Sequence, residues 1–453
     1  MRRPFRERES AALLAAREAA LLSALDLVLE RRRWNRDQVR DFQTSTLQTL
    51  VAYAYEHVPF YRAKYDAAEF HPSLVQSHDD LAKIPLLTKD ELRKADLAQL
   101  KSAAYPAPTR LLSSSGSTGV PSRLYRDEDS LVYMCAQEMA LYYDWCDRRP
   151  IAGVLYFLDL TPGLDGALAD LLRTTVPEER ILDSSASPAA LIADIERFSP
   201  EFISTYPSTL RNIAMTMDRQ GKTNTKPRLL HLTSEMLGAR TRSLLERVFP
   251  RAEIVQTYSS TEGGLIAHQC SAEGRWHLTE ESAIYEIVNA DGQPTEGMGE
   301  LVVTNLTNWA TPIIRYRGLG DYCRWAATEC SCGSDRRSIA HLEGRATESL
   351  ELADGTLLTP YGLTNALEEV PGVYQFQVIQ RGRGDLQVLI VRDASTGLGE
   401  EEVCARAQAA IQNLFSAATT CEICCVDHIP SQPGSHKTPL VVSRPSPVVG
   451  RTA

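Results

Sequence analysis

The chain has no run of about 18 consecutive apolar residues, so no membrane span is expected. Its opening segment, MRRPFRERESAALLAAREAALLSALDLVLERRRW, has no short apolar core followed by small residues, the pattern of a secretory signal. Glu7, Glu9, Glu18 and Asp26 within it argue against a transit peptide. Ten cysteines in 453 residues are too sparse for a disulfide framework, and a reducing cytoplasm is expected. Basic runs are scarce as well: only Arg31-Arg32-Arg33 stands out, and the net charge is −10 with a pI near 5.5. A duplex-binding protein usually shows a basic face, so neither nucleic acid nor membrane is expected as a partner. Internal repeats and low-complexity segments are absent.

What the chain has is length and patterning. With 43% apolar residues it can fill one large core and a smaller second one, since single cores stop growing near ~250–300 residues. Ala, Leu and Glu dominate to about residue 40, and after Pro4 no Pro or Gly interrupts them, which reads as helix; LQTLVAYAYEHV, ended by Pro59, reads as another. Ser77 before Asp79-Asp80, and Thr88 three residues before Glu91, are helix-start patterns. From Gly153 to about Glu300, the apolar runs VLYFLDL, FISTYP, LLHLTS and EIVQTYS alternate with the helical patterns ALADLLRTTV, PAALIADIERF, TLRNIAMTMDRQ and ARTRSLLERVF. That alternation implies a parallel sheet with helices on its faces. After Ile284 the pattern turns to strands, with Asp291-Gly292 as a hairpin turn. From about Ala346 come a hairpin, a helix, two strands, a helix and the strand EICCVDHI, enough for a small α+β domain. The expected fold class is therefore α/β, with domains at 1–345 and 346–453.

Three segments carry chemistry. Ser113, Ser114, Ser115, Gly116, Ser117, Thr118 and Gly119 form a loop rich in exposed N–H and O–H donors, able to wrap a polyphosphate. No Gly-Lys-Ser/Thr ends it, so it is not a nucleoside-triphosphatase loop, and on composition alone a plain linker is the commoner reading. Tyr258, Ser259, Ser260, Thr261 and Glu262 follow the strand-like Glu253–Val255. A carboxylate at a strand's C-terminal end, beside hydroxyls and glycines, suits Mg²⁺ on a nucleotide, though a solvated loop glutamate is the plainer alternative. Asp321, in YRGLGD, can accept both hydroxyls of a ribose or simply sit in a turn.

In order and spacing these segments resemble the motifs of the adenylate-forming superfamily, in the subgroup of phenylacetate–CoA ligases and CapK-like capsule-biosynthesis proteins. LQTLVAYAYEHVPFYRAKYD with DLAKIPLLTKDELR is similar to that subgroup's N-terminal region, SSSGSTGVPSRLYRD to its phosphate loop, and TYPSTL to a segment near its substrate pocket. LTSEML is similar to its adenine-side turn, TYSSTEGG to its aromatic–Thr–Glu motif and YRGLGD to its ribose-binding motif. The match covers about residues 45–370 well and the rest loosely. It implies a large adenylation domain and a small, mobile C-terminal lid that rotates between two half-reactions. Ser114, Ser115, Gly116, Ser117, Thr118 and Gly119 would hold the β- and γ-phosphates of ATP, Ser234 and Glu235 the adenine side, and Tyr258 the adenine face beside Ser259. Thr261 would touch the α-phosphate, Glu262 would hold Mg²⁺, Asp321 the ribose, and Arg345 would mark the hinge end of the nucleotide site. Lys437 would assist adenylation. The chain departs from the pattern at His436, where glycine usually precedes that lysine, at Glu348, where the acidic hinge residue after Gly-Arg would usually be Asp, and at Val120, where the loop often carries lysine.

Cys330-Ser331-Cys332-Gly333 is knuckle-like, and Cys270 and His277 flank a small upstream loop. Four such ligands in two close pairs suit tetrahedral zinc, with Cys323 as a substitute for His277. Cys421, Cys424 and Cys425 alternate with apolar residues as a buried strand would. His231, in an apolar strand, reads as a satisfied core residue, and His268 as a candidate to face an acyl pocket. Pocket residues are expected among 142–145, 157–159 and 206–208. The function so implied is ATP-dependent activation of a carboxylic acid, aromatic by family analogy, and transfer to coenzyme A. Transfer to an amine, or a non-catalytic binding role, are the alternatives; a kinase would need the missing loop lysine. A homodimer is compatible with all of these.

Overall fold

The computed structural model describes residues 11–105, 108–113, 122–143, 154–158, 164–172, 180–345, 350–355, 357–358, 363, 366–367, 370–393, 396–415, 418–427, 429 and 441–443. It is an α/β fold built on a 13-stranded mixed sheet. Strands Ile181–Asp183, Val154–Leu158, Phe202–Thr205, Leu229–Thr233 and Glu253–Ser260 lie side by side and parallel. Three of them, Val154–Leu158, Phe202–Thr205 and Leu229–Thr233, are buried along their whole length, which is why they read as unbroken apolar runs.

Alternation along each strand sorts its side chains between two helical layers. Leu155, Phe157, Ile203, Leu230 and Leu232 meet helices Pro188–Phe198, Pro207–Arg219 and Ala239–Val248. Val154, Tyr156, Leu158 and Phe202 face the opposite side with Ala169 and Leu172 of helix Leu164–Leu172. Phe157, one of the residues expected near a substrate pocket, packs in the first of these layers, whereas the period of two puts its neighbours Tyr156 and Leu158 in the second.

Beyond Glu253–Ser260 the sheet turns antiparallel through Gly264–Gln269 and Trp276–Leu278 to Ser338–Arg345 and Asp321–Trp325. Asp291-Gly292 does form a turn, with Gly292 at φ +77 and its N–H on the Asn289 carbonyl at 3.0 Å. The turn lies inside a longer connection between strands Ala283–Val288 and Gly299–Asn305, not in a two-residue hairpin. The first long helix also differs from expectation. Helix Ala11–Arg31 stops, and Asn35 starts Arg36–His57 with a capping box in which Asn35 and Gln38 bond each other's backbone N–H at 2.9 and 3.0 Å. The boxes at Ser77/Asp80 and Thr88/Glu91 are both present.

After residue 350 the chain forms a separate four-stranded sheet, ordered Thr420–Val426, Asp385–Arg392, Val373–Gly382, Val441–Ser443. Its core gathers Val378, Val388 and Ile390 with Val403 and Ala407 of helix Glu400–Ile411. Cys421, Cys424 and Cys425 lie on the edge strand and are half-buried, not fully covered as the alternation implied. Among the described residues no helix is long and apolar enough to cross a membrane.

Candidate active site and cysteine–histidine cluster

The candidate nucleotide residues converge at the C-terminal ends of strands Leu229–Thr233 and Glu253–Ser260, where ligands of open parallel sheets bind. Ser234 has φ +68, a left-handed backbone that turns the chain sharply off its strand. Glu235 then reaches the start of helix Pro207–Arg219, accepting the Ser208 N–H at 2.8 Å and its hydroxyl at 3.0 Å. That helix has no capping side chain of its own at Tyr206, so Glu235 supplies the missing acceptor from the next strand's turn.

Tyr258 and Asp321, 63 residues apart in sequence, meet through a hydrogen bond from the Tyr258 hydroxyl to the Asp321 carboxylate. The Tyr258 ring stands edge-on to Trp276 at 6.5 Å. Ser259 and Thr233 hydroxyls lie 3.5 Å apart across adjacent strands. The Glu262 carboxylate is buried and accepts the Tyr316 hydroxyl at 3.3 Å; burial first, then that carboxylate, pushes the Tyr316 phenol up. Tyr316 folds back over Gly318, where a Cβ would overlap its ring.

Sequence reading missed Arg126. It is 1% exposed, and its Nε and Nη2 donate to the Thr261 and Glu262 carbonyls at 3.2 and 3.4 Å. Burial lowers the guanidinium to about 10, against the opposing pull of Asp127 and Glu262. Gly264, at φ +79, leaves the room Arg126 occupies: a Cβ there would lie 3.3 Å from its Nη2. Asn305 fixes the same turn by donating to the Gly263 carbonyl at 2.8 Å. Arg126 belongs to strand Arg123–Asp127, which pairs antiparallel with Thr109–Ser113. The stem of the candidate phosphate loop is thus bolted to the Thr261–Glu262 turn. The loop itself (Ser114, Ser115, Gly116, Ser117, Thr118, Gly119), Glu348 and Lys437 lie outside the described residues, as does the side chain of Arg345. The Arg345 backbone pairs in register with Asp321.

His231 bridges Ser204 and Thr257, each at 2.9 Å, and burial lowers it to about 4. It borders a narrow cavity of about 20 Å³ with Tyr156, Leu158, Met134 and Ser259. His268 is not among the lining residues. It packs against the His277 ring at 5.8 Å, and burial, with Arg32 and His277 adding to it, pushes it down to about 3.

A second cluster is complete in the described residues. Cys270 follows strand Gly264–Gln269, and the chain doubles back at Gly274 to bring His277 in on strand Trp276–Leu278. Cys330 and Cys332 come from a loop tied to the first by Glu273, which accepts the Ser331 N–H at 2.6 Å. Cys270 Sγ lies 3.7 Å from Cys330 Sγ, and Cys332 Sγ lies 3.3 Å from His277 Nε2. All four ligand atoms fall within 4.8 Å of one another. Burial raises Cys270, but the N–H groups of Glu273 and Ala272 and the Cys330 and Cys332 thiols outweigh it, and the net shift is downward. Burial pushes Cys330 up to about 11, and burial lowers His277, whose Nδ1 has no well-formed hydrogen bond. Cys323 is buried in strand Asp321–Trp325 and is not one of the four.

No family model matches the chain. A phenylacetate–coenzyme A ligase of Thermus thermophilus is 30% identical over 370 residues, covering 78% of this chain and 80% of that protein. The Escherichia coli phenylacetate–coenzyme A ligase is 28% identical over 424 residues, covering 88% and 93%. Among solved structures, a 2-hydroxyisobutyryl-CoA ligase in the postadenylation state, in complex with 2-HIB-AMP, superposes with a TM-score of 0.73 at 18% identity over 92% of each chain. With the two motif segments meeting at Tyr258 and Asp321, and a relative this similar over this length, the chain belongs to the phenylacetate–coenzyme A ligase family of adenylate-forming enzymes.

Proposed function

We propose that this ligase activates an aromatic carboxylic acid as its acyl-adenylate and passes the acyl group to coenzyme A. The observation that carries the reading is the convergence of Tyr258, Glu262 and Asp321 about the C-terminal end of strand Glu253–Ser260, beside the Arg126-anchored stem. The substrate carboxylate oxygen attacks the α-phosphorus of ATP, the bond to the β-phosphate oxygen breaks, and pyrophosphate leaves. The CoA thiolate then attacks the acyl carbon, and AMP leaves with the electron pair of the broken acyl–phosphate bond. Asp321 holds the ribose, Tyr258 lies on the adenine with Ser234 and Glu235 at its edge, and Thr261 contacts the α-phosphate. The Ser114-to-Gly119 loop takes the outer phosphates, and Lys437 approaches from a C-terminal lid beginning near residue 346. The Glu262 carboxylate, buried and already receiving a hydroxyl, fits a Mg²⁺ ligand, and the ion would neutralise phosphate charge. The chain's own part is position and charge complementarity.

The Cys270, His277, Cys330, Cys332 set fits a structural zinc. Tetrahedral bonds of about 2.3 Å put two sulfurs roughly 3.7–3.8 Å apart, which is the spacing of Cys270 and Cys330. Three of the four donors are buried, with no open position for a substrate.

The test is pyrophosphate release from ATP across aromatic and aliphatic acids, with and without CoA. Acid-dependent release without CoA, and thioester only with it, is the expected result. Formation of ADP, or release that requires an amine in place of CoA, would overturn the assignment.

A further inference from the structure

A cavity of about 300 Å³ lies away from the nucleotide residues, between two helices of the large sheet and the C-terminal sheet. Helices Pro207–Arg219 and Ala239–Val248 bury Leu210, Ile213 and Met217, and Leu244, Leu245 and Val248, against the core. Arg211 and Arg219 are eight residues apart, Arg240 and Arg247 seven, so each pair occupies one face of its helix. All four line the cavity. Strand Val373–Gly382 closes the other side with Tyr374 and Phe376.

The lining carries four guanidinium groups against two carboxylates, Asp218 and Asp393. Arg247 holds Asp218 through Nε at 3.3 Å and Nη2 at 3.1 Å. Arg219 holds Asp393 at 3.2 Å and stands 5.1 Å over the Tyr374 ring. Arg240 donates Nη1 to the Val370 carbonyl at 2.5 Å. The Arg211 Nε is buried with no hydrogen-bond partner, a state that native structures rarely leave unexplained. An arginine-rich cleft with an unmet donor and an aromatic wall is chemistry for a phosphate attached to an organic body: the phosphate meets the guanidinium forks, and a ring can lie on Tyr374 or Phe376. The volume is at the lower end for a small-molecule site.

We propose that this cleft binds a phosphate group through Arg211 and the neighbouring arginines. Two sources share that chemistry, the phosphates of coenzyme A and free pyrophosphate, and only this choice of ligands rests on the proposed adenylating function. The test is calorimetric titration of the full chain, without acid substrate, with CoA, dephospho-CoA and inorganic pyrophosphate. Wild type is compared with Arg211→Gln, with Arg211→Lys as the charge-retaining control and thermal midpoints to check folding. Losing a charge-assisted contact weakens the true ligand about tenfold or more. A loss for CoA but not dephospho-CoA identifies the phosphomonoester; a loss for both CoA forms identifies the diphosphate; a loss for pyrophosphate alone identifies the free product. Equal affinity of wild type and Arg211→Gln for every probe, or no binding by wild type, overturns the proposal. ATP–pyrophosphate exchange in wild type reports separately on the adenylating reading, so the two fail independently.

Discussion

Replacing Arg126 with Met should leave the chain folded and nearly inactive. The methionine keeps the apolar stem and removes the guanidinium. In folding, two effects oppose each other. Burial lowers the guanidinium from an ordinary 12.5 to about 10, a penalty of about 3 kcal/mol on its charged form that the variant escapes. Against this, the bonds to the Thr261 and Glu262 carbonyls vanish, at 3.2 and 3.4 Å both at the long end. The buried Glu262 carbonyl and the part-buried Thr261 carbonyl, left without donors, cost up to about 1–3 kcal/mol each. The terms nearly cancel, and stability should change by no more than about 3 kcal/mol in either direction. Catalysis has no such compensation. Arg126 ties the candidate phosphate-loop stem to the turn bearing Glu262, and a misplacement of about 1 Å costs about a hundredfold in rate. ATP–pyrophosphate exchange should therefore fall about a hundredfold while calorimetry still shows a cooperative transition within a few degrees of wild type. Exchange within threefold of wild type would show that Arg126 positions nothing that matters to chemistry. Outright unfolding would show that the cancellation was misjudged.

Glu262→Gln should keep the wild-type thermal midpoint and lose about a hundredfold or more in exchange, because the metal site loses its charge; equal rates would remove Glu262 from the site. His231 is held neutral, lowered from 6.5 to about 4, so its contribution is intact above about pH 6.5 and is lost as pH falls toward 4. At pH 5 the loss is about 2 kcal/mol. Denaturation at pH 7.5 and pH 5 should show His231→Asn losing less than wild type by that amount, and parallel losses would contradict the burial argument. Prolonged dialysis against a strong chelator should release one zinc per chain and lower the thermal midpoint, and Cys330→Ser should purify with little zinc. A wild-type preparation free of zinc, with an unchanged midpoint after chelation, would make the four residues an ordinary reduced cluster.

The parallel half of the fold was legible because strands buried on both faces leave an apolar run that no surface strand can imitate, as in Val154–Leu158 and Leu229–Thr233. The break at Asn35 was not, since neither Pro nor Gly marks it and the signal is one asparagine three residues before Gln38. Strand Val441–Ser443 was also missed; it is three residues long and becomes a strand only by pairing with Val373–Gly382. The half-buried cysteines of Thr420–Val426 show the limit of alternation: it gives the face of a strand, but not whether that strand lies at an edge.

For the site, motif order told which residues to examine but not which of them touch. Tyr258 and Asp321 sit on strands that are not neighbours, so their contact depends on how the sheet carries Asp321 across, a property of topology with no local sequence mark. Arg126 is one of two arginines in PSRLYRDEDS, and only burial separates it from the exposed Arg123. The cysteine–histidine cluster was the opposite case. Its four ligands come from two tight turns, each closed locally by Gly274 or Gly333, so spacing within each pair was informative. The pairs are joined by adjacency of strands Trp276–Leu278 and Ser338–Arg345, which register His277 against Ser338 and bring the 330–332 loop over Cys270. Local geometry is written in local sequence, whereas a site assembled across a sheet is readable only once the order of its strands is known.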